Sequence, residues 1–183
     1  PALPLNNKEI HFALQPEPDT LVVAIVENES RPPVEKYIAE VVSADGALDL
    51  ALIRIVSDLD GDQVDTATLD LPFVELGDSD QVQLGESIRI FGFPGIGGET
   101  ITFTQGSVSG FESQDNVGDR AFIKTDTEIS GGNSGGLAVN ETGEIVGVPT
   151  WTQSSDTGGV IGRLRSINLA KEMIEAGDRY RSQ

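Results

Sequence analysis

Ser134 stands in the run Ile129-Ser130-Gly131-Gly132-Asn133-Ser134-Gly135-Gly136, where four glycines surround it directly before an apolar stretch. Glycine reaches positive φ without steric penalty, so such a run can aim successive backbone N–H groups at one point. A hydroxyl beside that nest suits acyl transfer: the oxygen attacks a carbonyl, and the amides hold the negative oxygen of the tetrahedral intermediate. Chemistry alone leaves a second reading open, a glycine turn that only reverses the chain. A serine nucleophile also needs a base within hydrogen-bond reach, most often histidine. The chain has a single histidine, His11, and no cysteine. That composition excludes disulfides, thiolate metal sites and zinc sites built on two or three histidines.

Other clusters carry weaker signals. Asp49 follows Gly46 and, taken alone, reads as a turn aspartate. The stretch Asp58-Leu59-Asp60-Gly61-Asp62-Gln63-Val64-Asp65 alternates carboxylates around a glycine, which suits either calcium or a solvated acidic turn, and it lacks the full calcium loop with its closing glutamate. Gly95-Ile96-Gly97-Gly98 has no Lys-Ser/Thr after it, so nucleotide binding is excluded. Trp151, on a strand beside the expected cleft, either lines that cleft or packs in the core, with the core as the default.

The positioning elements are short. Apolar stretches rich in Val and Ile, separated by Gly, Asp, Ser or Pro, predict strands over Leu21–Val26, Tyr37–Ser43, Leu50–Val56, Ile88–Phe93, Thr100–Phe103, Ser107–Phe111, Ala121–Thr125, Leu137–Val139, Ile145–Trp151 and Val160–Leu164. The pattern is all-β, and sheets of this size close or stack to hide their edges. One helix is predicted from Ser166, an N-cap, with Ile167, Leu169, Ala170, Met173, Ile174 and Ala176 on one face and Gly177 as its stop. The Asp-rich region from Ser57 to Gly85 reads as a linker between two β units.

With 30 acidic against 12 basic residues in 183, the net charge is −18. That field repels phosphate backbones and anionic lipid heads, so no nucleic-acid or membrane-surface partner is expected. No apolar run approaches the roughly 20 residues that cross a bilayer. The expected location is extracytoplasmic, in the bacterial cell envelope or secreted, which the absence of cysteine leaves open.

The glycine run, preceded by Lys124-Thr125-Asp126-Thr127-Glu128-Ile129, resembles the nucleophile loop of trypsin-like serine proteases of the HtrA/Deg type. Three further stretches are similar to that family in the same order: Asp49-Leu50-Ala51-Leu52-Ile53-Arg54-Ile55; Leu76-Gly77-Asp78-Ser79-Asp80 continuing to Leu84-Gly85-Glu86; and Phe91-Gly92-Phe93-Pro94-Gly95 followed by Gln105-Gly106-Ser107-Val108-Ser109. The resemblance implies a serine endopeptidase of two six-stranded antiparallel barrels: residues 1–80 as a first barrel, incomplete at its N-terminus, with the acidic linker; 81–165 as the second; and 166–183 as a helix and tail.

By that resemblance Ser134 is the nucleophile, Asp49 orients the base, and the backbone around Gly132, Asn133 and Ser134 forms the oxyanion hole. The strand bearing Val148 and Thr150 would pair with an extended or unfolded polypeptide. Glu128, six positions before Ser134, would stand at the base of the P1 pocket and favour a basic side chain, where such enzymes usually take small aliphatic ones. No metal or organic cofactor is required. Only ten residues precede His11, too few for the two opening strands of the first barrel, so the expected base lies upstream of Pro1 and His11 is the lesser candidate. The alternative function is an inactive protease fold that binds peptides or serves as an interaction module.

Overall fold

The structure, a computed structural model, describes residues 20–96, 98–154 and 160–181. Three strands, β1 (Leu21–Ile25), β2 (Val34–Asp45) and β3 (Leu50–Asp58), form an antiparallel meander in that order. Strands β4 (Ser87–Gly92), β5 (Thr102–Gln114), β6 (Gly118–Thr125), β7 (Leu137–Val139), β8 (Ile145–Ser154) and β9 (Val160–Ser166) close a barrel in the order β4-β5-β6-β9-β8-β7. Among the described residues one barrel therefore closes, and a three-stranded sheet stands where a first, partial barrel is expected. The period-2 pattern explains the closure: alternate residues of β4 point inward, and Ile88, Ile90, Val108, Ile123, Val146 and Leu164 fill the interior. Burying each of these side chains contributes about 1.5–3 kcal/mol.

Two strands expected at Thr100–Phe103 and Ser107–Phe111 are one, β5. The strand runs through Gly106, where Thr127 passes so close that a Cβ would lie 2.8 Å from the Thr127 Cα.

The helix, α1 (Asn168–Arg181), starts two residues later than expected and runs through Gly177. Ser166 does not cap it. It ends β9, and its hydroxyl donates to the Arg120 carbonyl at 2.5 Å. The cap comes from far along the chain: the Asn168 N–H donates to Ser79 Oγ at 3.2 Å, and Asn168 Nδ2 donates to Asp78 Oδ1 at 2.7 Å. Gly177 is a point of close approach and not a stop. It faces Leu52 of β3, and a Cβ at this position would collide with Leu52 Cδ2.

Between β3 and β4 the chain carries no strand, yet it is held. The Ile145 N–H donates to the Glu75 carbonyl, and the Gly77 N–H donates to the Ile145 carbonyl, both at 2.9 Å. At its start Asp58 Oδ1 accepts the N–H groups of Asp60 and Asp62, each at 3.0 Å. The Asp58–Asp65 carboxylates considered for calcium thus begin with one that caps its own turn. Among the described residues no group of three or more His, Cys, Asp or Glu side chains is arranged to hold a metal ion.

Candidate active site

Ser134 sits in the connection from β6 to β7, anchored from both ends. At the start, Thr125 Oγ1 donates to the Ser107 carbonyl at 2.8 Å and lies 2.6 Å from Thr127 Oγ1. A hydroxyl has one proton, so Thr125 spends it on Ser107 and accepts from Thr127, whose N–H also reaches it at 3.1 Å. Both threonines are buried, and this chain of bonds locks the loop to β5. Ile129, also buried, packs on Gly162, where a Cβ would come within 2.5 Å of Ile129 Cδ1.

Two tight turns follow. The Asn133 N–H donates to the Ser130 carbonyl at 3.0 Å, and the Gly136 N–H donates to the Asn133 carbonyl at 2.9 Å. Gly132 has φ +102°, and a Cβ on it would strike the Phe93 carbonyl; one on Gly136 would strike the Phe91 carbonyl. Neighbouring elements clamp the turns: the Gly95 N–H donates to Gly131 O and the Gly135 N–H to Pro149 O, each at 2.9 Å.

The result presents the Ser134 side chain to solvent at the rim of a cleft of about 470 Å³, lined mostly by apolar side chains such as Phe91, Phe93, Ile101, Leu137 and Val148. Its hydroxyl donates to the Thr150 carbonyl of β8 at 2.7 Å. Among the described residues, no acceptor takes the N–H of Gly132 or of Ser134, whereas the Asn133 N–H is spent within its turn. Asn133 itself is buried, and its Oδ1 has no hydrogen-bond partner.

Asp49 occupies the β2–β3 turn with φ +57°, a left-handed conformation that costs a non-glycine residue about 1–2 kcal/mol. Its side chain is exposed, and its charge acts on Arg165 of β9. Arg165 of β9 is the register partner of Val148 on neighbouring β8, and Val148 lines the cleft. Glu128 is exposed and does not line the cleft; its backbone carbonyl accepts the Thr104 hydroxyl at 3.0 Å. Thr150 holds Ser134 through its carbonyl and donates its own hydroxyl to Arg163 O at 3.1 Å. His11 lies outside the described residues.

Trp151 is not a core residue. It is 44% exposed, and the Arg163 guanidinium lies 4.0 Å from its ring centroid. Arg163 is fixed there by Glu112 Oε2 and Gln153 Oε1, both at 2.8 Å. On the next rung Arg165 stacks on Phe122 at 3.9 Å. Sequence reading misses this arginine–aromatic ladder. Its signal was the alternation Arg163-Leu164-Arg165, which in a strand puts both guanidinium groups on the outer face while Leu164 fills the core.

The chain thus combines a closed antiparallel barrel with a serine exposed on a glycine turn, and among the described residues no acceptor takes the Gly132 or Ser134 N–H. The family model of the trypsin-like peptidase domain matches residues 11–148, and the chain belongs to that family, in its HtrA/DegP type. It is 36% identical over 143 residues to the probable periplasmic serine endoprotease DegP-like of Chlamydia trachomatis, covering 77% of this chain and 26% of that protein. Against the periplasmic serine endoprotease DegP of Salmonella typhimurium the identity is 34% over 154 residues, with 81% and 30% covered. Among solved structures it is similar to the HtrA-type protease AlgW with decapeptide, at TM-score 0.67 and 29% identity, over 88% of this chain and 45% of that one. The chain thus spans less than a third of the length of these curated relatives.

Proposed function

We propose that this chain carries the nucleophile of a serine endopeptidase that cleaves extended polypeptide through an acyl-enzyme on Ser134. The observation that carries this reading is the glycine turn, which exposes the Ser134 hydroxyl and, among the described residues, leaves the Gly132 and Ser134 N–H groups without an acceptor. In the reaction a base takes the Oγ proton as the oxygen attacks the peptide carbonyl. The two N–H groups receive the oxyanion, the amine leaves with the proton, and water then cleaves the ester. The Thr150 carbonyl cannot accept that proton, so the bond it shares with Ser134 is a resting contact that the base must displace. Asp49, in this reading, orients the base and stabilises its charged form.

Substrate is received by strand addition. β7 pairs with β8 through residues up to Gly147 only, whereas β8 continues to Ser154 with β9 on one side. An extended peptide laid on the other edge would gain main-chain hydrogen bonds next to Ser134, in keeping with the decapeptide that accompanies AlgW in its structure. The apolar cleft favours an apolar side chain near the scissile bond over a basic one held by Glu128. The periplasmic relatives support an extracytoplasmic site of action, and among the described residues no helix is long and apolar enough to cross a membrane.

A fluorophosphonate probe, which reacts with activated serines, tests the proposal. Labelling that vanishes in Ser134→Ala supports the nucleophile and means that a working base lies within the 183 residues. Loss of labelling in His11→Ala as well would identify the base within this chain. No labelling, either here or when the region upstream of Pro1 is supplied, with peptide binding retained, would replace the enzyme with a peptide-binding module.

A further inference from the structure

Arg165 lies on the outer face of β9, yet it is only 3% exposed. One face of its guanidinium lies on the Phe122 ring. Nη1 donates to Gln114 Oε1 at 2.7 Å, and Nε has no hydrogen-bond partner. A buried cation served by one neutral acceptor and an aromatic face is under-compensated and requires negative charge nearby. The charges that oppose its burial lie on the other β unit. Gln114, while accepting from Arg165, donates Nε2–H to the Ala47 carbonyl at 3.1 Å, so the β2–β3 turn is tied to the same rung. The turn presents two carboxylates, Asp45 and Asp49, on either side of Ala47. Asp45 Oδ1 is occupied in shaping the turn, accepting the N–H of Ala47 at 2.8 Å and of Leu48 at 3.1 Å. Burial pulls the Arg165 guanidinium below the usual arginine range, and the Asp49 and Asp45 charges oppose that shift.

Arg165 also stands directly opposite Val148, two residues before the Thr150 carbonyl that holds Ser134. We infer that Arg165 is a positioning residue: with Gln114 as the bridge, it holds the turn that carries Asp49 against the back of the Ser134 cleft. This inference rests on the reading of Ser134 as nucleophile and Asp49 as its carboxylate partner, and it adds the element that brings the two β units into register. A left-handed aspartate is sustained only where surrounding contacts over-determine it, and the Gln114–Ala47 hydrogen bond, two residues before Asp49, supplies such a contact.

The test is a double-mutant cycle on the full 183-residue chain, read by urea unfolding. Arg165→Met is compared in the parent and in Asp49→Asn. If Arg165 grips Asp49, the two changes couple, and the double variant keeps an unfolding constant about tenfold more favourable than the product of the singles. If Arg165 only fills space on the barrel wall, the effects multiply to within about twofold, and the inference falls. Coupling to Asp45→Asn without coupling to Asp49→Asn overturns it too. Should Arg165→Met fail to fold, Gln114→Ala enters the same cycle, where additivity again counts against the bridge. Fluorophosphonate labelling supplies the second readout. Slowed labelling in Arg165→Met, no further slowed by Asp49→Asn and partly restored in Arg165→Lys, supports positioning. Coupled stabilities with no labelling in the parent, even with the region upstream of Pro1 supplied, keep the grip on the turn and remove the peptidase reading. Labelling with additive stabilities removes the grip and keeps the peptidase.

Discussion

Gly132 tolerates no side chain, for two separate reasons: its φ of +102° lies where L-residues are strained, and a Cβ would meet the Phe93 backbone carbonyl, which cannot rotate away. Gly132→Ala should therefore lower stability by about 1–3 kcal/mol and also displace the N–H proposed for the oxyanion hole. Thermal unfolding and fluorophosphonate labelling on one sample would check both, and an alanine variant with unchanged melting and labelling would contradict the geometry. Residue types alone made Ser134 and its glycines legible, because only glycine combines positive φ with such close backbone approach. The roles of Arg163 and Arg165 were not legible. A strand arginine ordinarily reaches solvent, and only the aromatic and acidic neighbours from β5, β6 and β8 reveal that these two are enclosed.

The helix α1 shows how contacts distant in sequence overrule local signals. Ser166 and Gly177 have the residue types of a cap and a stop, yet Ser79 supplies the cap and Gly177 is a contact with Leu52. Alanine in place of a mid-helix glycine ordinarily stabilises by roughly 0.5–1 kcal/mol. Here overpacking reverses the sign, so Gly177→Ala should be less stable than the parent by about 1 kcal/mol, and more stable than its own parent when placed in Leu52→Ala. Equal effects in both backgrounds, in urea melts, would show that the contact is absent.

The N-terminal tie of the same helix is charge-dependent. The Asn168 side chain and then the Asp80 N–H hold the Asp78 carboxyl below its ordinary range. A carboxylate with a lowered folded-state pKa contributes stability that is fully present above its unfolded value of 3.8 and is lost as pH falls through the lower folded value. Melting temperatures of the parent and Asp78→Asn should thus differ most near neutral pH and converge in acid. A gap that stayed constant would place the effect elsewhere.

The whole molecule carries a net charge of −18, and self-repulsion on that scale destabilises the compact state. Raising salt from about 0.01 M to 0.15 M shortens the Debye length from about 30 Å to 8 Å. The melting temperature should rise over that range, since the repulsion acts over many long distances while attraction rests on a few short pairs such as Arg54–Glu40. A falling melting temperature would mean that the pairs dominate.

The all-β character, the acidic surface and the Ser134 loop were readable from residue order, because alternation, formal charge and glycine's freedom are local properties that survive in any context. The closing of one barrel over β4–β9, the cap from Ser79, and the placing of the Asp49 turn beside Arg165 and Gln114 were decided in three dimensions. Each depends on which distant segments exclude water together. Burial energies of that kind are set by neighbours, and neighbours come from the packed chain, not from its order.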